Sequence, residues 1–145
     1  MEYFKFRLQK LLDIRVEKEN TCIVEFKEAQ VNKETVVVKL ENLQGECKKY
    51  ENFQHNDSVI NQKIQLHYLN AVNACIVDAN IELCSKNDIL EKKRVILTEK
   101  RVERKTVEIL KEKQQEAFIK EQNQIEQKSN DEFALYSFIR RRERG

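Results

Sequence analysis

The stretch from Leu8 to Tyr50, LQKLLDIRVEKENTCIVEFKEAQVNKETVVVKLENLQGECKKY, decides the fold because its apolar residues return in steps of four and three. A mean spacing of 3.5 residues is the a/d seam of a coiled coil. A straight helix would drift by about 20° per heptad, so a phase held over six heptads favours a coiled coil over an amphipathic helix in an ordinary bundle. Ten of the thirteen seam positions are apolar, and the thirteen are Leu8, Leu12, Arg15, Glu19, Cys22, Phe26, Ala29, Lys33, Val36, Leu40, Leu43, Cys47 and Tyr50.

The composition permits very long helices. The chain has 145 residues, no proline, two glycines and 36% charged residues. Without proline, nothing forces a helix to stop, and Gly45 costs only about 1 kcal/mol on a face turned to water. Helices with one buried stripe and three wet sides fit this composition, so we expect an elongated shape rather than a globule.

A second helix follows a predicted turn. Residues Gln54 to Ser58 are rich in side chains that favour turns and helix N-caps. We predict a single coiled-coil domain over residues 1–145, with a first helix over about 3–53, a turn over about 54–58 and a second helix over about 58–140. Ser129, Asn130 and Asp131 could interrupt the second helix. Its seven-residue ladder comprises Leu69, Ile76, Leu83, Leu90, Leu97, Arg104, Lys111, Phe118 and Ile125.

The seam positions of the first helix and the seven-residue ladder of the second helix together predict a hairpin. In an antiparallel pair, the numbers of facing residues have a constant sum, and a turn centred near residue 56 requires about 112. Val36 with Ile76 and Glu19 with Lys93 both give 112. The fold class predicted is therefore all-α: an elongated antiparallel two-helix coiled-coil hairpin, with the last 36 or so residues of the second helix overhanging.

Composition also argues against several classes of function. The formal net charge of +2 does not indicate a nucleic-acid binder. The four cysteines form no CxxC pair, and His55 and His67 have no zinc-ligand spacing with them. No Gly-rich phosphate loop and no nucleophile with a nearby base stand out, so we expect a protein that is not an enzyme and that needs no cofactor or metal. No apolar run is long enough to span a membrane, and a cytosolic location is expected.

Two terminal motifs resemble the FliJ family of the flagellar type III export apparatus. The first is Phe4-x-Phe6-x-Leu8-Gln9-x-Leu11-Leu12-x-x-Arg15, which looks like the family's opening. The second is Ile125-Glu126-Gln127-Lys128-x-x-Asp131-Glu132-Phe133-Ala134, which is similar to its ending. The resemblance covers essentially the whole chain.

The resemblance implies a non-catalytic stalk, similar in shape to the central stalk of rotary F-type ATPases. Members associate with the hexameric export ATPase and its regulator, bind the cytoplasmic domain of the export gate and escort empty export chaperones. It further implies a protein that is a monomer alone, is cytoplasmic and is peripherally associated with the inner membrane at the flagellar base. No nucleic acid and no small-molecule substrate are expected.

The resemblance also places two binding regions, one at each end of the hairpin. Where the family carries an aromatic and a leucine, this chain has Ala71 and Cys75, so either the anchor has moved along the helix or the alignment slips by one residue. The gate-binding residues expected at the turn end are Leu43, Glu46, Tyr50, Tyr68, Leu69, Ala71, Val72 and Cys75. The ATPase-binding residues expected at the terminal end are Phe4, Phe6, Leu8, Phe118, Ile125, Asp131, Glu132, Phe133, Tyr136 and Arg140.

Two other classes of function remain open from the sequence. The first is a homodimeric cytosolic coiled-coil scaffold, in which the seam is filled by another chain. The second is a nucleic-acid-binding coiled coil, although four arginines at the C-terminal end are few for strong phosphate affinity. Solution mass discriminates the hairpin from the scaffold, and a titration at physiological salt tests the second alternative.

Overall fold

The computed structural model describes residues 3–51 and 58–144, which form two helices and contain no strand. Helix α1 is Gln9–Glu51 and helix α2 is Val59–Glu143. Contacts such as Tyr68 with Glu46 and Arg101 with Glu19 join the helices in antiparallel order. The predicted all-α helical hairpin, with two long helices packed against each other, is confirmed.

Helix α1 begins six residues after its predicted start near residue 3, whereas α2 begins within one residue of its predicted start near residue 58. Residues 3–6 are not helical, and α1 follows a turn at Arg7 and Leu8. Within the predicted turn, residues 54–57 lie outside the described residues. Ser58 immediately precedes α2, and its carbonyl oxygen accepts a hydrogen bond from the Gln62 amide at 3.0 Å.

Neither helix is interrupted where weak helix formers occur. Helix α1 continues through Gly45, as the sequence predicts, and α2 continues through Ser129–Asp131 to Glu143. The expected interruption there is wrong. Serine, asparagine and aspartate each lower helix propensity by only about 0.5 to 0.7 kcal/mol relative to alanine, and no proline or glycine adds to that cost.

The predicted seam is the core of the hairpin. Along α1, every ladder residue is buried or half-buried except Leu8 and Tyr50 at its two ends, and Ala79 of α2 is the most enclosed side chain at 1% exposure. Every buried residue of the two helices lies on the seam of α1, on the seven-residue ladder of α2, or three residues after a position of that ladder. They are Leu12, Glu19, Ala29, Val36, Cys47, Val72, Ala79, Leu90, Leu97 and Val107.

The chain divides into two compact units. One comprises residues 1–17 and 102–145, and its core consists of Phe6, Leu12 and Val107, with Phe4 packed against them. The other comprises residues 18–101 and contains the long seam.

The register of the seam differs from the prediction by about one heptad. Lys93 pairs with Glu25 at 2.7 Å, Lys39 pairs with Glu82 at 3.5 Å, and the numbers in these pairs add up to 118 and 121 rather than 112. The predicted partner of Lys93 was Glu19, which instead pairs with Arg101 at 3.5 Å.

Apolar pairing explains why the shifted register wins. A sum of 119, one heptad above 112, aligns seven fully apolar layers within residues 18–101, whereas 112 aligns five. The predicted register leaves Tyr50 and Cys47 facing glutamines, whereas the observed one brings the ring of Tyr50 to Tyr68. The predicted sum of 112 came from placing the centre of the turn near residue 56. Two helices joined by a connection can also be offset along their axes, and such an offset changes the sum.

Candidate functional site

The turn end carries a polar and aromatic cluster that joins α1 to α2. The rings of Tyr50 and Tyr68 have centroids 4.5 Å apart and are tilted by 54°, an arrangement that aromatic pairs prefer over a face-to-face stack. The Tyr68 hydroxyl donates to a Glu46 carboxylate oxygen at 3.1 Å, and the Gln65 side-chain amide donates to the Tyr50 carbonyl oxygen at 3.4 Å. Both tyrosines remain 38% exposed, so the cluster is structured and still accessible.

The hydrogen bond to Glu46 changes the chemistry of Tyr68. Donating that hydrogen bond favours the protonated phenol, and this raises the pKa of Tyr68 above its ordinary value of 10.0. Partial burial and the negative charge of Glu46 act in the same direction. The cluster therefore keeps Tyr68 protonated to a higher pH than an ordinary tyrosine.

The other residues expected at the turn end do not all reach the surface. Ala71 and Cys75 are exposed, and Leu43 and Leu69 are half-buried in the seam. Val72 is only 5% exposed and belongs to the core. Its place as a possible contact anchor is corrected, because it lies on the seam face of α2, which packs on α1.

The first turns of α2 add an apolar surface that the sequence-based prediction did not include in the site. The apolar residues there are 59% to 71% exposed: Val59, Ile60, Ile64 and Leu66. Because α1 ends at Glu51 and Tyr50 lies beside Tyr68, these turns extend past the last described residues of α1, apart from the contact of Gln65 with Tyr50. The sequence feature that could have predicted this surface is the group of apolar residues directly after the predicted turn.

The terminal end is closed by the segment that precedes α1. Phe4 packs against Phe118 with ring centroids 5.8 Å apart, and Phe6 is 6% exposed in a cluster with Leu12 and Val107. The N-terminal motif therefore folds onto α2, and Phe6 is a core residue rather than an accessible one.

Polar contacts strengthen the same end. Lys111 donates to the Gln9 side-chain oxygen at 2.9 Å, and an Arg15 guanidinium nitrogen donates to the Glu103 carbonyl oxygen at 2.6 Å. Both arginine and lysine occupy ladder positions where a coiled coil ordinarily has apolar residues. Their long stems cover the seam while their charged ends find oxygen partners at its margin.

Beyond these contacts, α2 exposes every residue from Asn123 to Arg144, a region that we call the C-terminal extension. Among the residues expected to bind a partner, Asp131, Glu132 and Arg140 are all exposed. Large apolar side chains that are 43% to 70% exposed share this segment: Ile125, Phe133, Leu135, Tyr136, Phe138 and Ile139. The structure thus separates the expected ATPase-binding residues into an inner group, Phe4, Phe6 and Phe118, that packs within the hairpin, and an outer group on the extension that stays exposed.

Charged side chains also lie in the middle of the seam. Glu19 is 7% exposed, and Arg101 lies 3.5 Å from its carboxylate. The hydrogen bond from Lys93 to Glu25 raises the pKa of Lys93 above its ordinary value, so its ammonium stays charged at neutral pH. These pairs fix the register, because a slip by one heptad would separate each charge from its partner.

Neither a metal centre nor a membrane span is found in the described part of the chain. No group of three or more histidine, cysteine, aspartate or glutamate side chains there could hold a metal ion. No helix among residues 3–51 and 58–144 is long and apolar enough to cross a membrane. The candidate sites considered further are the tyrosine cluster with the exposed start of α2, and the C-terminal extension.

Comparison with known proteins identifies a family of flagellar proteins. The family described as "Flagellar FliJ protein" matches residues 4–143. A curated relative, the Flagellar FliJ protein of Bacillus subtilis (strain 168), is 26% identical over 141 residues, which cover 94% of this chain and 96% of the relative. No solved structure matches the chain significantly. Because the family match extends over nearly the whole length, the chain belongs to the FliJ family of flagellar proteins.

Proposed function

We propose that this chain is a non-catalytic coiled-coil stalk of the flagellar type III export apparatus. Its terminal end binds the hexameric export ATPase and its regulator, and its turn end binds the cytoplasmic domain of the export gate. It also escorts export chaperones, and it works in the cytoplasm, peripherally associated with the inner membrane at the flagellar base. The observation that carries the proposal is the exposed, aromatic C-terminal extension of a chain that matches the FliJ family over residues 4–143.

The distribution of apolar side chains around the extension supports insertion into a ring. A helix that lies on a surface has one apolar stripe, whereas a helix that is apolar on all sides is normally surrounded by protein. At 100° per residue, the side chains of Phe133, Leu135, Tyr136, Phe138 and Ile139 spread over about 220° of the helix circumference, which is wider than a single apolar stripe. Such a helix buries its apolar area best within a partner that encloses it.

The basic charge of the extension indicates the charge of the partner's binding surface. Four of the last five residues before Gly145 are arginines, which suits an acidic lining and adds attraction at long range. Cations near the end of a helix are also favoured by the helix dipole, so part of their role is structural. An enclosing partner with an acidic interior satisfies both the apolar and the basic side chains.

The turn end fits a flatter contact. Tyr50 and Tyr68 are accessible, their rings pack together, and the Tyr68 hydroxyl donates to Glu46. Gln65 donates to the backbone carbonyl oxygen of Tyr50 and links this pair to the exposed start of α2. Rigid aromatic side chains lose little entropy on binding and are common in binding hot spots. The exposed members of the expected gate-binding set, including Ala71 and Cys75, extend this surface along α2.

Truncation tests the terminal end. A chain that stops after Gln127 lacks the aromatic residues and the arginines of the extension but keeps the Phe4–Phe118 contact. We expect at least a tenfold loss of ATPase stimulation and of ATPase binding, with gate binding within twofold of the full chain. Circular dichroism first establishes that the remaining hairpin is helical.

A double substitution tests the turn end in the opposite sense. Tyr50→Ala with Tyr68→Ala removes the aromatic cluster, and we expect gate binding to fall about tenfold while ATPase stimulation is kept. A matched control is Tyr136→Ala, which removes a tyrosine from the terminal end. If both the truncation and the double variant lose both activities while remaining helical, the two-ended stalk is wrong and a general scaffold becomes the better proposal.

The seam gives a reason to prefer the stalk over the homodimeric scaffold. That alternative needs a second chain to fill the seam, whereas here α2 of the same chain covers Ala29, Val36 and Cys47. In dilute solution we therefore expect a monomer of 17.4 kDa. Sedimentation at low micromolar concentration measures that mass, and a dimer there would favour the scaffold.

A further inference from the structure

The outer face of α1, directly opposite the seam, carries an apolar ladder that the hairpin does not use. Val24, Val31 and Val38 recur every seven residues and are 55%, 65% and 47% exposed. In a two-stranded coiled coil this position faces water and is ordinarily polar. The ladder spans about 21 Å along one face of α1.

From this face we propose a docking surface for a second copy of the same chain, packed antiparallel about a two-fold axis at Val31. In that arrangement Val31 meets Val31 of the second copy, and Val24 meets Val38 at both ends. The contact is closed and uses the same patch on both chains, as most dimers do. The inference rests on the hairpin alone and is independent of the proposed role in export.

The charges beside the ladder select this partner and this register. Lys27 and Glu34 flank the valines on one side, and the proposed symmetry brings Lys27 of each chain against Glu34 of the other. Sliding by one heptad in either direction would put Lys27 against Lys27 or Glu34 against Glu34. Neither side chain forms an ion pair within residues 3–51 and 58–144, so both are available.

The outer face of α2 does not offer the same surface. It has exposed Ile81 and Val95 at the equivalent positions, but Asp88 lies midway between them. A second copy packed there would place Asp88 against Asp88, and packing α1 on α2 would place Val31 against Asp88. Packing α1 of one chain on α2 of another would also leave one outer face unoccupied on each chain. Further molecules could then add without limit, so the product would not be a closed dimer.

The size of the contact sets its strength. One helix face about 21 Å long buries less than the roughly 1,200–2,000 Å² of a stable interface. The chain is therefore a monomer when dilute and pairs only when it is concentrated. This is consistent with a hairpin whose own seam is complete.

Disulfide crosslinking locates the contact. In a chain carrying Cys75→Ser and Cys84→Ser, which removes the exposed native thiols, we compare Val31→Cys with Ile81→Cys under mild oxidation at about 100 µM. Both sites are 65% exposed, so random collisions trap them equally. The expected result is at least fivefold more disulfide-linked dimer for Val31→Cys, because that residue lies on the two-fold axis.

Charge exchange tests the symmetry. Lys27→Glu creates two repulsive contacts per dimer, and we expect dimerisation, measured by sedimentation equilibrium under reducing conditions, to weaken about tenfold. Lys27→Glu with Glu34→Lys restores both pairs and the parental net charge, so dimerisation should return to within twofold. Circular dichroism checks that both variants remain helical.

Two outcomes overturn the proposal. Equal crosslinking at Val31 and Ile81, or none at Val31, excludes the two-fold axis. The valine ladder would then be better explained as a binding surface for a helix of a different protein. Failure of the exchanged pair to restore dimerisation excludes the register. Neither outcome affects the proposed export function, which is measured by ATPase stimulation and gate binding.

Discussion

Two stretches of α2 contain large apolar side chains and use them in opposite ways. Between Leu69 and Leu97, ladder residues are buried or half-buried against α1, and Val72, Ala79, Leu90 and Leu97 are almost fully enclosed. Between Asn123 and Arg144 every residue is exposed, although this extension has the denser set of aromatic residues. The first stretch forms the fold, and the second contributes apolar area that the fold does not use.

Helix formation and burial are therefore separate events in this chain. The extension is helical because it contains no proline or internal glycine and is rich in good helix formers. The paired stretch is helical and also packed because its apolar residues keep a 3.5-residue period that matches α1. Changes in the paired stretch should therefore act on stability, and changes in the extension should act on binding.

The largest effect is expected from a charge placed in the seam. Val36 is 4% exposed, and Val36→Asp should lower the free energy of unfolding by about 3–5 kcal/mol, because the change replaces an enclosed apolar side chain by a charged one. Val38→Asp, on the outer face of the same helix, should cost less than about 0.5 kcal/mol. Urea denaturation followed by circular dichroism measures both, and similar losses would contradict the assignment of the seam.

A pair of cysteines sharpens the register of the paired stretch. Val36→Cys with Leu83→Cys belongs to the observed register, whereas Val36→Cys with Ile76→Cys belongs to the register that the turn centre suggested. A disulfide requires Cα atoms within about 7 Å, and residues seven apart on one helix are separated by about 10 Å. We expect an intramolecular crosslink for the first pair alone, seen as faster migration on a non-reducing gel in a background without Cys75 and Cys84. Efficient crosslinking of the second pair would show that the register is wrong.

Removal of the extension should have a small effect on stability. Truncation after Gln127 deletes only exposed residues, so the free energy of unfolding should change by less than about 0.5 kcal/mol. The helical signal should fall in proportion to the residues removed. A loss above about 2 kcal/mol would mean that the extension contributes to the hairpin, contrary to the contrast between the two stretches.

The smallest effect is expected at the turn end, in the titration of Tyr68. Glu46→Gln removes the charged acceptor, so the pKa of Tyr68 should fall towards its ordinary 10.0. Because the pKa is raised in the folded state, the stabilisation is present below the unfolded pKa and is lost as pH rises through the folded pKa. Absorbance near 295 nm against pH measures the step, and Tyr68→Phe identifies it. An unchanged curve in Glu46→Gln would show that this hydrogen bond is not formed in solution.

Much of the fold followed from the sequence by itself. The 3.5-residue period from Leu8 to Tyr50 and the ladder from Leu69 onward predicted which residues are buried, and the absence of proline predicted long helices. The terminal motifs indicated the family, and the FliJ match over residues 4–143 confirms it. These properties are local or periodic, so they can be read without knowing which residues meet.

Only the tertiary structure decided the register and what is left exposed. Heptad repeats are nearly equivalent when one helix is shifted by seven residues. The registers with sums of 112 and 119 therefore differ only in the number of apolar layers and in ion pairs beside the seam, such as Lys39 with Glu82. The observed register leaves the first turns of α2 exposed and places Leu12 with Val107 in the cluster that Phe6 completes. The physical reason is that the period of a coiled coil fixes which face is apolar, whereas the summed packing of all layers fixes where along the partner helix that face comes to rest.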